Sequence, residues 1–141
     1  MSRHRRRIYL FAVILSLLCT FSSLAKPRKV QRLATGTWGG QHIQIDVTRD
    51  TASIEYDCAN GTIAGPLTFN NKGQFTWRGS HSRERGGPIR RDEKPDKHPA
   101  VYTGWIKGAT MTMTVKLMDT SETLGTFTLR RGAEGRVFKC R

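Results

Sequence analysis

The stretch Gly36–Phe69, GTWGGQHIQIDVTRDTASIEYDCANGTIAGPLTF, decides the fold of this chain. Apolar and polar side chains alternate over His42–Thr48 and again over Ala52–Cys58. A period of two residues is typical of strands that bury one face. Arg49-Asp50 separates the two runs, and Asn60-Gly61 is a strong hairpin signal. The stretch therefore predicts consecutive antiparallel strands joined by tight turns.

The same alternation continues through the rest of the chain. Further short strands are predicted at Gln74–Gly79, Val101–Lys107, Thr110–Leu117, Leu124–Arg131 and Arg136–Cys140. Regularly spaced strands without helices are typical of a barrel or a sandwich, and closure into a barrel would remove exposed edges. We therefore predict an all-β fold, a small antiparallel barrel of about eight strands.

The first residues have the features of an export signal. Met1–Arg7 is basic, Ile8–Leu18 is apolar, and Ser23-Leu24-Ala25 places small residues where a signal peptidase cuts. We predict a signal peptide over 1–25, cleaved after Ala25, and a periplasmic or secreted protein; an uncleaved membrane anchor is the alternative. Because this segment carries four arginines and no acid, its removal lowers the net charge from +13 to +9.

Two cysteines, Cys58 and Cys140, remain after the predicted signal. An even number of cysteines in an exported chain indicates a disulfide, and two cysteines allow one pairing. In the chain-entropy model, closing a loop of this length contributes about 4 kcal/mol to stability. Free thiols or a two-cysteine metal site are the alternatives.

Two segments lack the alternating pattern. Residues 26–35 are basic and contain a proline, and we predict a flexible leader before a barrel domain over 36–141. Ser80–Pro99 carries ten charged residues and three prolines, so it has too few apolar side chains to form part of a core. We predict a long charged surface loop at 80–99, and loops of this length are usually functional or disordered.

Gly36-Thr37-Trp38 is similar to the G-x-W sequence that opens the barrels of lipocalins, avidins and other calycins. In those families the tryptophan closes one barrel end and stacks with an arginine, and the resemblance implies this role for Arg130 or Arg131. It also implies a cup for an apolar ligand, but an eight-stranded barrel can be filled by its own side chains, which is our prediction. Trp77 and Trp105 lie within strands, and we predict that they and Trp38 belong to the core.

The segment Tyr56–Gly61, YDCANG, together with a cysteine near the chain end, resembles periplasmic inhibitors of C-type lysozyme. Those proteins are small exported barrels in which this strand is tied by a disulfide to the chain end. Their inhibitory loop with serine and lysine has no counterpart here. The resemblance therefore implies the disulfide and the compartment, and not the activity.

The most extensive resemblance is to small exported bacterial β-barrel proteins of unknown function. It combines the pattern G-x-W-G-G-x-H at Gly36–His42 with E-Y-D-C-A-x-G at Glu55–Gly61. It extends to L-G-x-F-T-L at Leu124–Leu129 and to a final K-C at Lys139-Cys140. The resemblance covers nearly the whole chain after the predicted signal, and it implies a fold but no reaction.

His42, Glu55 and Asp57 are the candidates for chemistry. Glu55 and Asp57 share one face of a predicted strand, about 7 Å apart, as paired carboxylates do, but also as any two outward residues do. With His81 and His98 they could in principle ligate zinc, although no pair has the spacing of a structural zinc site. We predict no catalytic residue, no metal and no cofactor; a small hydrolase or a metal site around the three candidates is the alternative.

Positive charge is the strongest remaining signal, since basic residues are concentrated in Lys26–Arg32, in Arg130–Arg141 and in the charged loop. Such a surface attracts polyanions. We predict an exported, non-enzymatic binding protein, a monomer, that contacts an anionic envelope polymer, a lipid surface or a protein partner, and no nucleic acid. The candidate binding residues are His42, Glu55, Asp57, Arg83, Arg85, Arg90 and Arg91. A carrier of a small apolar ligand inside the barrel is a further alternative.

Overall fold

The structure is a computed structural model that describes residues 29–85, 87, 94 and 96–140. The predicted signal over 1–25 and the candidates Arg90 and Arg91 lie outside these residues. The described strands are β1 (Gln31–Arg32), β2 (Gly36–Gly40), β3 (Ile43–Val47), β4 (Thr51–Tyr56), β5 (Ala59–Ala64), β6 (Thr68–Phe69), β7 (Gln74–Arg83), β8 (Lys97–Lys107), β9 (Thr110–Leu117) and β10 (Thr123–Arg131). None of the residues that the structure describes forms a helix long and apolar enough to cross a membrane.

Eight of these strands close into an antiparallel barrel in the order β10-β2-β3-β4-β5-β7-β8-β9. The prediction of an all-β, eight-stranded antiparallel barrel is confirmed. Pairing of β10 with β2 closes the barrel and places Arg131 opposite Trp38. Trp38 is buried, but the side chains of Arg130 and Arg131 are exposed. The stacking of an arginine on Trp38 therefore stays a prediction.

The interior of the barrel is filled by its own side chains. The alternation in β9 buries Met111 and Met113 and turns the threonines of that strand outward. Ile45 and Phe75 are buried in the same core, and the ring of Phe75 stacks on that of Trp77 at 3.8 Å. This packing confirms the filled interior. The alternative of a carrier for an internal apolar ligand stays a prediction.

The short sheet of β1 and β6 packs beside the start of β7. The amide of Leu33 donates to the carbonyl of Leu67 at 2.8 Å, and both side chains are buried in the core. The indole of Trp77 donates to the carbonyl of Thr68 at 2.8 Å. The prediction of a flexible leader is wrong for residues 31–33, because Leu33 is buried in the core. A segment this short shows no periodicity from which that burial could be predicted.

The turn between β4 and β5 lies at Asp57-Cys58, and Cys58 has a φ of 56°. The prediction of a turn at Asn60-Gly61 is wrong, since both residues lie within β5. A Cβ atom on Gly61 would come within 2.8 Å of the Tyr102 hydroxyl. Glycine is therefore required at this position by the close approach of Tyr102, and not by a turn.

Strands β7 and β8 extend further than predicted. Residues 80–83 and 97–99 of the predicted loop are paired strand residues. His81 is only 4% exposed, because alternate residues of a strand point inward even where the sequence is rich in charge. The loop predicted at 80–99 is thereby shortened to the connection 84–96.

The chain after β10 returns across the end of the barrel. Cys140 forms a disulfide with Cys58, with Cα atoms 4.9 Å apart, as predicted. The amide of Cys58 donates to the carbonyl of Phe138 at 3.1 Å, and that of His42 to the carbonyl of Arg136 at 2.9 Å. The predicted strand at 136–140 is reduced to an isolated bridge at Arg136. The Arg136 amide donates to the last residue of β2, Gly40, at 2.9 Å, but beyond it the segment bonds to turn residues.

Candidate functional site

Several ionisable side chains of the described residues lie together at one end of the barrel. The turns β2–β3, β4–β5 and β9–β10 and the connection β7–β8 meet there, because antiparallel strands reverse at the same two ends. We call this region the disulfide end. It comprises His42, Asp57, Cys58, His81, Arg83, Glu84, Asp96, His98, Asp119 and Glu122.

His42 and Asp57, two of the predicted site residues, are brought into contact. His42 lies in the β2–β3 turn with a φ of 66°, and its Nδ1 lies 2.5 Å from Oδ2 of Asp57. The other carboxylate oxygen of Asp57 accepts from the amide of Phe138 at 2.8 Å. This amide and the His42 ring lower the pKa of Asp57. The pair thus ties two turns to the C-terminal segment.

Glu55 does not join this pair. It lies on the outside of β4, where its carboxylate is 3.2 Å from Nζ of Lys139. Strand β4 ends at Tyr56, so Asp57 belongs to the following turn and not to the strand that carries Glu55. The two carboxylates therefore do not form the predicted pair on one strand face.

A cavity of about 430 Å³ opens beside His42 and Asp57. Its apolar wall includes Tyr56 and Phe127, whose ring centroids are 5.7 Å apart, and the ring of His81 packs edge-on against Tyr56 at 5.1 Å. The Tyr56 hydroxyl and Nδ1 of His81 are buried without a hydrogen-bond partner in the described part of the chain. Burial raises the pKa of Tyr56, so its hydroxyl stays neutral.

His81 and His98 lie opposite each other in β7 and β8 but have opposite environments. Burial, together with the charge of Arg83 and of His98, lowers the pKa of His81. The His98 ring lies between two carboxylates, with Nδ1 2.6 Å from Asp119 and Nε2 3.0 Å from Asp96. These hydrogen bonds, that of Asp119 foremost, raise the pKa of His98. His98 is thus held in a cluster with two carboxylates.

The described residues of the disulfide end supply a histidine paired with a carboxylate but no nucleophilic side chain beside it. A histidine paired with a carboxylate is suited to general base catalysis. However, the described lining of the cavity contains neither a hydroxyl nucleophile of serine or threonine nor a free thiol, since Cys58 is oxidised. No group of three or more His, Cys, Asp or Glu side chains within the described ranges is placed to hold a metal ion. The geometry therefore favours a structural role for His42 and Asp57.

The predicted arginine candidates are only partly described. The guanidinium of Arg83 donates to both carboxylate oxygens of Glu122, at 3.1 and 3.0 Å. Arg85 is exposed, and Arg90 and Arg91 lie outside the described residues. Arg83 is therefore engaged within the molecule and is not presented as an unpaired cation.

A second polar site lies on the outer wall and was not predicted. Trp105 is 54% exposed, so the prediction that it belongs to the core is wrong. In β8 the inward residues are Ala100, Tyr102 and Gly104, and the alternation sends Trp105 outward. The signal was present in the sequence, because Trp105 is an odd number of residues from Tyr102.

Trp105 lies in an open groove of about 840 Å³, which we call the Trp105 groove. Its polar lining residues are Asn70, Lys72, Gln74, Thr76, Thr103, Lys107 and Thr114. No acidic residue is in the described lining, and no described carboxylate lies within ion-pair distance of Lys72 or Lys107. The groove therefore combines an exposed indole, hydroxyl and amide groups, and uncompensated positive charge.

No family model, no curated protein sequence and no solved structure matches this chain. The fold defines a closed, antiparallel, eight-stranded barrel with a filled core and one disulfide. The suspected relation to small exported bacterial barrels stays a prediction.

Proposed function

We propose that this protein is an exported, non-enzymatic binding protein that holds an anionic component of the cell envelope on its outer wall. The observation that carries the proposal is the composition of β7–β10, which contain no aspartate or glutamate. We call the outer face of these four strands the basic wall. Its outward basic residues are Arg78, Lys97, Lys107, Lys116 and Arg130.

Unpaired charge supports binding at the basic wall more than at the disulfide end. Arg83 of the disulfide end forms an ion pair with Glu122, and Lys139 of the adjoining C-terminal segment forms one with Glu55. Binding there would first have to break these pairs. On the basic wall a polyanion meets cations that already lie in water, and release of its counterions favours association.

The disulfide supports export to the periplasm or beyond. Disulfides persist in oxidising compartments and are rare where thiols are kept reduced. Together with the predicted signal over 1–25, the Cys58–Cys140 bond supports a location at the cell envelope. The polyanions available there are envelope polysaccharides and anionic lipids, so nucleic acid is not the proposed partner.

The test is the salt dependence of binding. Affinity for an immobilised polyuronate and for anionic vesicles is measured from about 50 to 500 mM NaCl, the range in which counterion release is visible. We expect Lys107→Gln/Arg130→Gln to weaken binding and to reduce the salt slope by about one for each charge removed.

The matched control is Arg83→Gln/Lys139→Gln, which removes the same charges from ion pairs at the disulfide end. It should change the slope far less. Equal effects of the two double variants, or an unchanged slope in Lys107→Gln/Arg130→Gln, would overturn binding through the basic wall.

A further inference from the structure

We infer that the Trp105 groove is a saccharide-binding site and that its ligand is an acidic polysaccharide. This inference rests on the proposed function, because it names the chemical class of the anionic component. Three features of the groove support it: the exposed indole, the array of hydroxyl groups beside it, and the two lysines at its rim.

The exposed indole of Trp105 provides a stacking surface. More than half of this large side chain is in contact with water, whereas Trp38 and Trp77 are buried. The face of an indole carries partial negative charge and packs well against groups with a positive edge. The C–H groups on one face of a pyranose ring are such groups, so a sugar ring fits flat on Trp105.

Hydrogen-bonding side chains surround the indole at regular positions. Gln74 lies opposite Trp105 in β7, and Thr112 lies opposite it in β9. The next row consists of threonines that face each other across four strands, namely Thr76, Thr103, Thr114 and Thr126. Hydroxyl and amide groups both donate and accept hydrogen bonds. They therefore match the hydroxyl groups of a sugar, which also do both.

The position of Trp105 is fixed by close packing behind it. A Cβ atom on the preceding Gly104 would come within 2.9 Å of the Phe75 ring, which itself stacks on Trp77. Strand β8 is paired with a neighbouring strand on both sides from Ala100 to Trp105. A platform held in this way loses little conformational freedom when a ligand binds.

Lys72 and Lys107 supply the charge preference. Both line the groove, whose described lining has no acid, and an ammonium group is a donor for carboxylate or sulfate oxygens. The volume of about 840 Å³ is within the range of small-molecule sites, and the groove is open to solvent. It can hold a short segment of a longer polymer. A repeating unit that contains both a sugar ring and a charged group can stack on the indole and pair with the lysines at the same time.

The experiment compares ligands that separate ring from charge. Octagalacturonate carries both, polyphosphate carries charge without a ring, and a neutral cello-oligosaccharide carries the ring without charge. Binding is followed by calorimetry and by the ligand-induced change in tryptophan fluorescence, which reports mainly on Trp105 because the other two indoles are buried away from the ligand. We expect octagalacturonate to bind more tightly than either of the other ligands at equal salt.

The decisive variant is Trp105→Ala. It should weaken octagalacturonate binding on the order of tenfold, as loss of one stacked ring does, and leave polyphosphate binding unchanged. Phe138→Ala, which removes another exposed aromatic ring from the C-terminal segment, is the matched control and should change neither. Trp105→Phe should restore part of the affinity. The melting temperature of each variant checks that the barrel is intact.

Several results would overturn the inference. The first is that Trp105→Ala weakens the affinity for octagalacturonate and for polyphosphate equally. The second is that it changes neither affinity. The third is that a thymidine 16-mer binds more tightly than octagalacturonate and that its binding depends on Trp105. The first two results would leave charge-driven binding in place if Lys107→Gln/Arg130→Gln still weakens it. Failure of the proposed function is different: it is seen when removal of these charges affects no polyanion.

Discussion

The disulfide end and the Trp105 groove are both rich in polar side chains, but they arrange their charges in opposite ways. At the disulfide end His42 contacts Asp57, Arg83 contacts Glu122, and His98 lies between two aspartates. In the groove the described lining offers no acid to its lysines. Charges that satisfy each other hold the chain in place, whereas charges without a partner are available to another molecule. The density of ionisable residues is therefore a poor guide to where this barrel offers charge to another molecule.

The difference also concerns how each region is stabilised. The ion pairs at the disulfide end are partly exposed, and exposed pairs contribute little, so the covalent bond and the core carry the stability there. The groove rests on a paired sheet and a stacked aromatic floor. Changes at the disulfide end should therefore alter stability without altering the groove.

The largest expected effect is loss of the disulfide. Because the bond joins cysteines 82 residues apart, Cys58→Ser/Cys140→Ser should lower the free energy of unfolding by about 4 kcal/mol in the chain-entropy model. Urea denaturation measures this, and a reducing agent should have the same effect on the unaltered protein. Affinity for octagalacturonate at low temperature should be unchanged. A parallel loss of affinity would contradict the separation of the two regions.

The second effect concerns the segment that packs beside the start of β7. Leu33→Ala removes a side chain that is 7% exposed and should cost about 2 to 3 kcal/mol, as truncation of a buried leucine does. Val30→Ala, at a position 61% exposed, should cost less than about 0.5 kcal/mol. Thermal and urea unfolding of both variants provide the comparison. Similar small losses would mean that residues 31–33 are a flexible leader after all.

A smaller and local effect is expected at the C-terminal segment. Asp57→Ala removes the acceptor of the Phe138 amide, so hydrogen exchange of this amide should become several times faster. Glu55→Ala removes a carboxylate that pairs only with the Lys139 side chain, and it should leave that amide protected. Exchange followed by NMR distinguishes the two variants. Equal protection in both would show that the disulfide alone holds the segment.

The smallest effect is the response of two facing histidines to pH. The pKa of His98 is raised and that of His81 is lowered from the usual 6.5. The stability that His98 contributes to the fold is present below pH 6.5 and is lost as the pH rises through the pKa of His98 in the folded protein. The stability that His81 contributes is present above pH 6.5 and is lost as the pH falls through the pKa of His81 in the folded protein. NMR titration of the ring protons should show His98 titrating above His81, and His98→Asn should remove the loss on the alkaline side.

The barrel could be predicted because its information is local. The alternation in Thr110–Leu117 gives the buried and exposed faces of a strand without knowledge of any neighbour. The contact of His42 with Asp57 could not be predicted in this way, since it depends on how two separate turns meet the C-terminal segment. Leu33 was missed because a strand of two residues has no period, and His81 because charged neighbours masked the inward position of its side chain.

Trp105 was missed for a different reason. Tryptophan is highly buried on average, and this tendency favours a place in the core. The position of Trp105 in its own strand favours the outer face, and this second signal is the correct one. Gly61 shows the same error, because a glycine needed for close packing against Tyr102 was interpreted as a turn residue. In both cases the strand pattern was more reliable than the residue type.

The length of β8 has a consequence for how a polymer is held. Val101 is paired with Arg78 on one side and with Lys116 on the other, so these two cations form one row across the strands. Lys107, at the end of the same strand, is paired with Thr110, which is itself paired with Arg130, so Lys107 and Arg130 form a second row. Six residues of strand separate these two cationic rows, or about 20 Å. One chain that follows the strand reaches both rows at once, and the second contact then forms at a high effective concentration. If the proposed binding holds, we expect the affinity of the wall to rise with the length of the ligand, so that avidity sets a minimum length below which fragments are released.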